Sequence, residues 1–410
     1  EYSMETMIHV ADARARLLAK LQPSQARSTP IASACGLALA HDIPSPISLP
    51  PFDNSAMDGY AVRAQDTAHA TAEHPVSLHR TGTISAGQAP STSPGPGECV
   101  RIFTGSAMPP GADAVVMQED TETDASGEVI RIKEPARPWE NVRFAGEDVK
   151  AGATLVRAGT VLNPAHLGLL AAAGLDAVPV VPAPRFFILS TGNELRKPGE
   201  PLRPGEIYES NSCALAALLE HAGGRFQGTA VAADNPQATR DALSRALEMA
   251  DVVITAGGAS VGDFDLVKPA IEALGGTIDF WRIAMKPGKP FFLAECHGKP
   301  VFGLPGNPVS AFVTALLLVW PAMAHLAGLP RIDPPSQPVR LAESITNPDR
   351  RTHFVRVCLD ADGQARTAGI QASHILHSLA AADGLIEVPP QSRLEPGDVV
   401  KMIRWTPPLG

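Results

Sequence analysis

The sequence predicts a multidomain α/β plus β protein. Its expected parts are a central doubly wound α/β domain, a mostly β domain inserted into a helical N-terminal and linker domain, and a small C-terminal β barrel. Three observations predict this. The chain has 410 residues, more than one hydrophobic core usually supports. Its 44% apolar and 19% charged residues are ordinary for a folded globular protein and wrong for a disordered one. Finally, its periodicity changes from helical to alternating, then to strand–helix alternation, and back to short strands. The 39 Pro and 35 Gly, without a Gly-X-Y period, add many short turns.

Met7, Val10, Arg14, Leu17, Leu18 and Leu21 fall mostly on one stripe of a helix that must stop before Pro23. Residues 53–144 read as short alternating runs separated by Gly and Pro, a mostly β domain. Helical character returns after Gly146, so the linker domain is expected to be discontinuous, 1–52 with 145–182. Over 183–330, strand-like runs at 185–190, 252–255 and 301–304 alternate with helices. Asn211 or Ser212 is a candidate cap for one helix, and Asn235-Pro236 starts another. A right-handed doubly wound sheet follows. Residues 331–410 hold short strand candidates at 352–359, 385–388 and 399–405, a small barrel or sandwich. The apolar stretch 311–329 approaches a bilayer span in length, but Pro321 interrupts it and His325 lies inside it, so a buried helix is expected and no membrane.

A net charge of -9 makes the whole molecule a poor partner for nucleic acid, so any anion site must be local. The five cysteines, Cys35, Cys99, Cys213, Cys296 and Cys358, are scattered and contain no C-x-x-C pair. This argues against a disulfide framework or zinc knuckle and for a reducing, cytoplasmic setting. No secretory signal pattern opens the chain.

Chemistry is expected past the carboxyl ends of the parallel strands. In the first loop, residues 189–195, Ser190, Thr191 and the Gly192 backbone can approach a phosphate while Glu194 faces the same mouth. The second, 255–263, brings Gly257, Gly258 and Ser260 close to an anion, with Asp263 or Asp265 available for a divalent cation. The third, with Pro305, Asn307 and Ser310, opens the long apolar helix, whose N-terminus carries free N–H groups. Arg282, Lys286 and Lys289, stiffened by two prolines, suit an oxyanion or else form a solvated basic loop. Asp234 is a helix cap or a ligand for metal or ribose. Asp58-Gly59 signals a hairpin turn. Arg350, Arg351, His353 and Arg356 read as a charged strand edge. Walker A, G-x-G-x-x-G, H-E-x-x-H and G-x-S-x-G patterns are absent, which disfavours P-loop hydrolysis, NAD binding, zincin and α/β-hydrolase chemistry.

Taken in order, residues 51–62, Thr104-Gly105 with 111–116, Gly146-Glu147-Asp148, 190–195, 205–211, 257–263, 286–290 and 304–310 resemble the motif series of the molybdopterin molybdenumtransferases. This is the MoeA family, similar to the E domain of gephyrin. The resemblance covers nearly the whole chain. It implies a homodimeric enzyme with a MogA-like third domain that inserts molybdate into adenylylated molybdopterin, with Mg²⁺-assisted release of AMP. Carried over by motif, Asp58, Thr104, Asp148, Glu194, Asp234, Asp265, Arg282, Lys286 and Ser373 become functional residues. Glu194, Asp234 and Asp265 would hold Mg²⁺. Arg351 and Ser373 would form a second wall of the anion site, and Asp58 and Asp148 would come from the dimer mate. A MogA-like adenylyltransferase and downstream maturation proteins are implied as partners. The chain departs from the family's usual residues at Arg282 (Lys), Glu209 (Asp), Asn235 (a second Asp) and Ala259 (Val). Two other readings compete: a partner-binding scaffold of the gephyrin type, and an adenylyltransferase of the MogA type.

Overall fold

The computed structural model describes residues 7–257 and 266–406. Helix α1 (Val10–Lys20) buries Ala13 and Leu17. Their cluster is the core of the α/β domain, where they meet the long apolar helix. Packing thus assigns α1 to the α/β body, a departure from the 1–52 grouping expected from the sequence. An amphipathic stripe declares that it will be buried but not against which surface. The linker region itself is a three-stranded sheet, Arg27–Pro30, Ala177–Val181 and Ala38–Leu39, beside helix α2 (Pro164–Ala172). Asn163 and His166 close a capping box at the start of α2.

The inserted domain is a six-stranded sheet with its own two apolar clusters, one on Tyr60, Val62, Leu78 and Ile130, the other on Ala61, Val100, Ile102 and Val115. Alternate residues of Gly59–Val62 thus feed opposite faces. Asp58-Gly59 is not the hairpin turn its dipeptide suggested. Gly59 begins a buried strand, and a Cβ there would lie 2.0 Å from the Val116 carbonyl oxygen. Glycine is required by close backbone approach, a long-range fact that the dipeptide does not carry.

The α/β domain orders its strands Arg225–Ala232, Arg185–Thr191, Val252–Ala256, Lys299–Leu304, Pro290–Cys296 and Thr277–Arg282. The first four run parallel and the last two are antiparallel additions. Phe186 and Ile188 face one layer and Phe187 and Leu189 the other, which makes a doubly covered sheet. Helix α3 (Asn211–His221) lies on the first face, and α4 (Pro236–Met249) and α5 (Val267–Ala273) lie on the second. The chain leaves the first strand to one side and returns on the other, so the topological switch falls between Arg185–Thr191 and Val252–Ala256.

Two caps differ from expectation. Asn235, not Asp234, caps α4, accepting the Ala238 N–H at 2.7 Å. At α3 neither Asn211 nor Ser212 caps; the Glu209 carboxylate accepts the Ser212 N–H at 3.0 Å. The apolar stretch forms α6 (Pro308–Thr314), a π-helical segment Ala315–Val319 and α7 (Trp320–Leu326). Pro321 does not break this helix. The wider π turn just before it absorbs the ring and the missing N–H. Its 19 residues are long and apolar enough to cross a membrane, yet 94% of the apolar window is buried inside the protein. In the C-terminal domain, Thr352–Leu359, Gly384–Val388, Val399–Ile403 and Ser336–Arg340 pair in turn. Ala365–Thr367 joins Thr352–Leu359, and a Leu341–Ala365 bridge closes the circuit into a small barrel.

Candidate active site

The switch point gathers three loops. Gly257, at φ +98°, donates its N–H to the Leu304 carbonyl at 3.1 Å, and a Cβ there would lie 3.0 Å from Thr191 Oγ1 and would crowd the first loop. Loops one, two and three therefore meet around one glycine. Asn193 and Asp234 exchange hydrogen bonds: the Asn193 N–H reaches Asp234 Oδ2 at 3.0 Å, and the Asp234 N–H reaches Asn193 Oδ1 at 3.0 Å. Glu194 and Asp234 are both exposed at this rim. Gly192 lies beneath Glu194, whose carboxylate covers it. Gly258, Ser260 and Asp265 lie outside the described residues.

Ser190 is buried, and its hydroxyl donates to Glu209 Oε1 at 3.1 Å. It braces the loop rather than presenting a free hydroxyl to a ligand, a correction to its expected role. Thr191 is half-buried beside it. Pro305 and Ser310 are buried and Asn307 is exposed. The helix start at Asn307 is not an open cradle throughout. The Val309 N–H donates to the Ser373 carbonyl at 3.2 Å, and Asn307 Nδ2 donates to Ser373 Oγ at 3.3 Å. Ser373 thus seats the barrel domain on α6.

The basic loop connects the same two bodies. The Ile283 N–H donates to the Lys289 carbonyl at 2.8 Å, closing the loop, while Met285 and Lys286 add in parallel to the edge of Thr352–Leu359. Gly288 rests against Thr314 and the Ser310 carbonyl. Lys286 and Lys289 are exposed and Arg282 is half-buried. Arg351 is held by Asp349 at 2.8 Å and reaches the Met285 carbonyl at 3.5 Å. The hydrogen bond that Arg351 donates to Asp349 holds the pKa of that carboxyl down at about 2. Arg356 is 1% exposed and donates to the Ile370 and Ala372 carbonyls at 2.8 and 3.2 Å, anchoring the strap that carries Ser373. Across from Lys286 lies His353, whose buried Nε2 has no partner. Burial first, and then the Lys286 and Arg356 charges, push its pKa down to about 4. Cations are concentrated here in a chain whose net charge is -9.

Asp58, Thr104 and Asp148 are exposed on the inserted domain and its root. Asp58 Oδ1 accepts the Thr104 N–H at 2.7 Å and its hydroxyl at 2.8 Å, and these bonds hold the carboxyl below its usual range. Two bracing residues, Glu209 and Arg356, were not predicted as such. The only signal for Glu209 was its place in the motif at 205–211, since an acid two residues before a helix does not reveal what it grips.

Three family models match the chain. They are the MoeA N-terminal region (domain I and II) over residues 8–174, a probable molybdopterin binding domain over 187–325 and the MoeA C-terminal region (domain IV) over 338–405. Molybdopterin molybdenumtransferase 2 of Mycobacterium tuberculosis is 42% identical over 88% of this chain and 90% of its own length. The molybdopterin molybdenumtransferase of Haemophilus influenzae is 36% identical over 93% and 94%. A crystal structure of the molybdopterin biosynthesis moea protein from Pyrococcus horikosii superimposes with a TM-score of 0.83 at 34% identity, covering 98% of this chain and all of that one. The MoeA domain architecture, with a probable molybdopterin binding domain at its α/β centre, is therefore shared along nearly the whole chain. The chain belongs to the molybdopterin molybdenumtransferase (MoeA) family, enzymes of molybdenum cofactor biosynthesis. Neither a scaffold nor a MogA-type adenylyltransferase is favoured by these matches.

Proposed function

We propose that this chain inserts molybdate into adenylylated molybdopterin and releases AMP, acting as a cytoplasmic homodimer. The observation that carries the reading is the meeting of three switch-point loops with a basic loop that bridges to the barrel domain. Molybdate is a tetrahedral dianion, which suits Lys286, Lys289 and Arg282 on one side and Arg351 and Ser373 on the other. The adenylate would lie along loops one to three, with Thr191 on one side and Asn307 at the far lip, while the Gly192 and Gly257 N–H groups are spent on the Ala232 and Leu304 carbonyls.

Mg²⁺ fits the donor set. Glu194 and Asp234 are exposed carboxylates joined through Asn193, and Mg²⁺ commonly takes one or two carboxylates plus water and phosphate oxygens. Asp265 would be a third ligand. When bound, the cation supplies charge neutralisation at the scissile linkage. The chain's own part is to hold the phosphates and molybdate in register and to keep Asp234 oriented by Asn193. By resemblance to the family, Asp58 and Asp148 would act on the partner's mouth, with Thr104 held beside Asp58.

Purified protein is expected to release AMP from adenylylated molybdopterin only when molybdate and Mg²⁺ are both present. Lys286→Gln and Asp265→Asn are expected to abolish turnover with melting unchanged. AMP release independent of molybdate would sink the reading.

A further inference from the structure

Of the motifs that carry the family resemblance, the one at residues 205–211 has no part in either the anion or the metal reading. Its last residues nevertheless touch two of the three loops. Glu209 is 5% exposed, and its carboxylate accepts Ser190 Oγ–H at 3.1 Å and the Ser212 N–H at 3.0 Å, with the Ser212 hydroxyl as a third donor. Two residues on, Asn211 Nδ2 donates to the Gly306 carbonyl at 2.9 Å. Ser190 is the penultimate residue of the strand Arg185–Thr191, and Gly306 sits in the turn that opens α6. Both arms leave from the start of α3, Glu209 just before it and Asn211 as its first residue, and Leu215, Leu218 and Leu219 of that helix are fixed in the core. A buried carboxylate gripped by three donors cannot shift without leaving some of them unsatisfied, so this anchor is stiff.

We infer that Glu209 and Asn211 are positioning residues, a two-armed strut rooted in α3 that sets the separation of the first and third loops. The inference rests on the proposed function, in which both loops hold the same adenylylated substrate. Neither residue touches that substrate. Glu209 acts through Ser190 and Asn211 acts through Gly306. Gly257, wedged between Thr191 and the Leu304 carbonyl, is held at the distance the strut imposes. A ligand spanning the loops then binds a gap that is already the right width, so the strut contributes to binding by preorganisation.

Steady-state molybdate-dependent AMP release by the full chain tests this. Asn211→Ala is expected to raise KM for adenylylated molybdopterin about tenfold with kcat within about twofold, the signature of lost uniform binding. Glu209→Gln, which replaces one of the two acceptor oxygens by an NH2 donor, is expected to do the same. The double variant should be little worse than the poorer single one, because either break frees the same gap. Hydrogen exchange supplies a readout independent of activity. The Gly257 and Val309 amides should exchange faster in Asn211→Ala while those of α4 keep their rates and Tm is unchanged. Wild-type kinetics in Asn211→Ala, or faster exchange throughout the domain with a lowered Tm, overturns the strut. If Glu209→Gln does not fold, Asn211→Ala decides the matter by itself. A wild type without molybdate-dependent AMP release strikes the proposed function, and the exchange pattern then judges the strut alone.

Discussion

At the residue scale, the basic wall is tuned by surroundings rather than by composition. His353 is buried and faces Lys286, Arg356 and Arg351, with Asp349 opposing them, and its folded pKa is about 4 against an ordinary 6.5. The unfolded chain therefore binds a proton between those values that the folded chain refuses. Stability tied to His353 is complete above about pH 6.5 and is lost as the pH falls toward 4. Denaturant melts of His353→Gln are expected to lack that fall, so wild type and variant should converge at low pH. The Asp58 carboxyl shows the opposite use of a neighbour, since Thr104 donates twice to one oxygen and lowers its titration. Replacing Thr104 by Ala should move the Asp58 midpoint upward in a carboxylate-resolved NMR titration, even though the backbone bond remains.

At the element scale, ends and close approaches decide more than propensity. Asn235→Ala removes the oxygen that accepts the Ala238 N–H, and urea melts should show a loss of about 1 kcal/mol. Gly59→Ala places a methyl 2.0 Å from the Val116 carbonyl, deep between two strands, and should cost about 3 kcal/mol, or leave the inserted domain unfolded. A turn glycine with nothing near its missing Cβ, such as Gly152 at φ +84°, should cost less, because only its backbone conformation objects. The element types were legible in the sequence. Strand–helix alternation announced the α/β domain, and the apolar run after Asn307 announced a buried helix. The antiparallel edge of the sheet was not legible, since residues 277–282 and 290–296 read alike in either direction.

At the scale of the whole molecule, the inserted domain carries Asp58 and Thr104 on a body with its own core, while Lys286 sits where the α/β domain meets the barrel. The proposed exchange of groups between subunits has a direct consequence. Asp58→Asn and Lys286→Gln homodimers should each be inactive, whereas mixing them through partial unfolding and reassembly should restore activity, because a mixed dimer keeps one mouth with both groups intact. No recovery in dimers shown to be mixed would place all the groups within one subunit.

By itself the sequence determined the order of the domains' characters, the doubly wound centre, the family, and the residue types gathered for an oxyanion, because these follow from periodicity and from motifs that are contiguous in the chain. The tertiary structure decided which groups are spent on the protein itself. Ser190 turns to Glu209, Ser373 fills part of the α6 terminus, Asn235 rather than Asp234 caps α4, and α1 buries its stripe on the α/β body. All but the Asn235 cap join positions far apart in the chain, and a side chain's remaining hydrogen-bonding capacity depends on neighbours that only folding supplies.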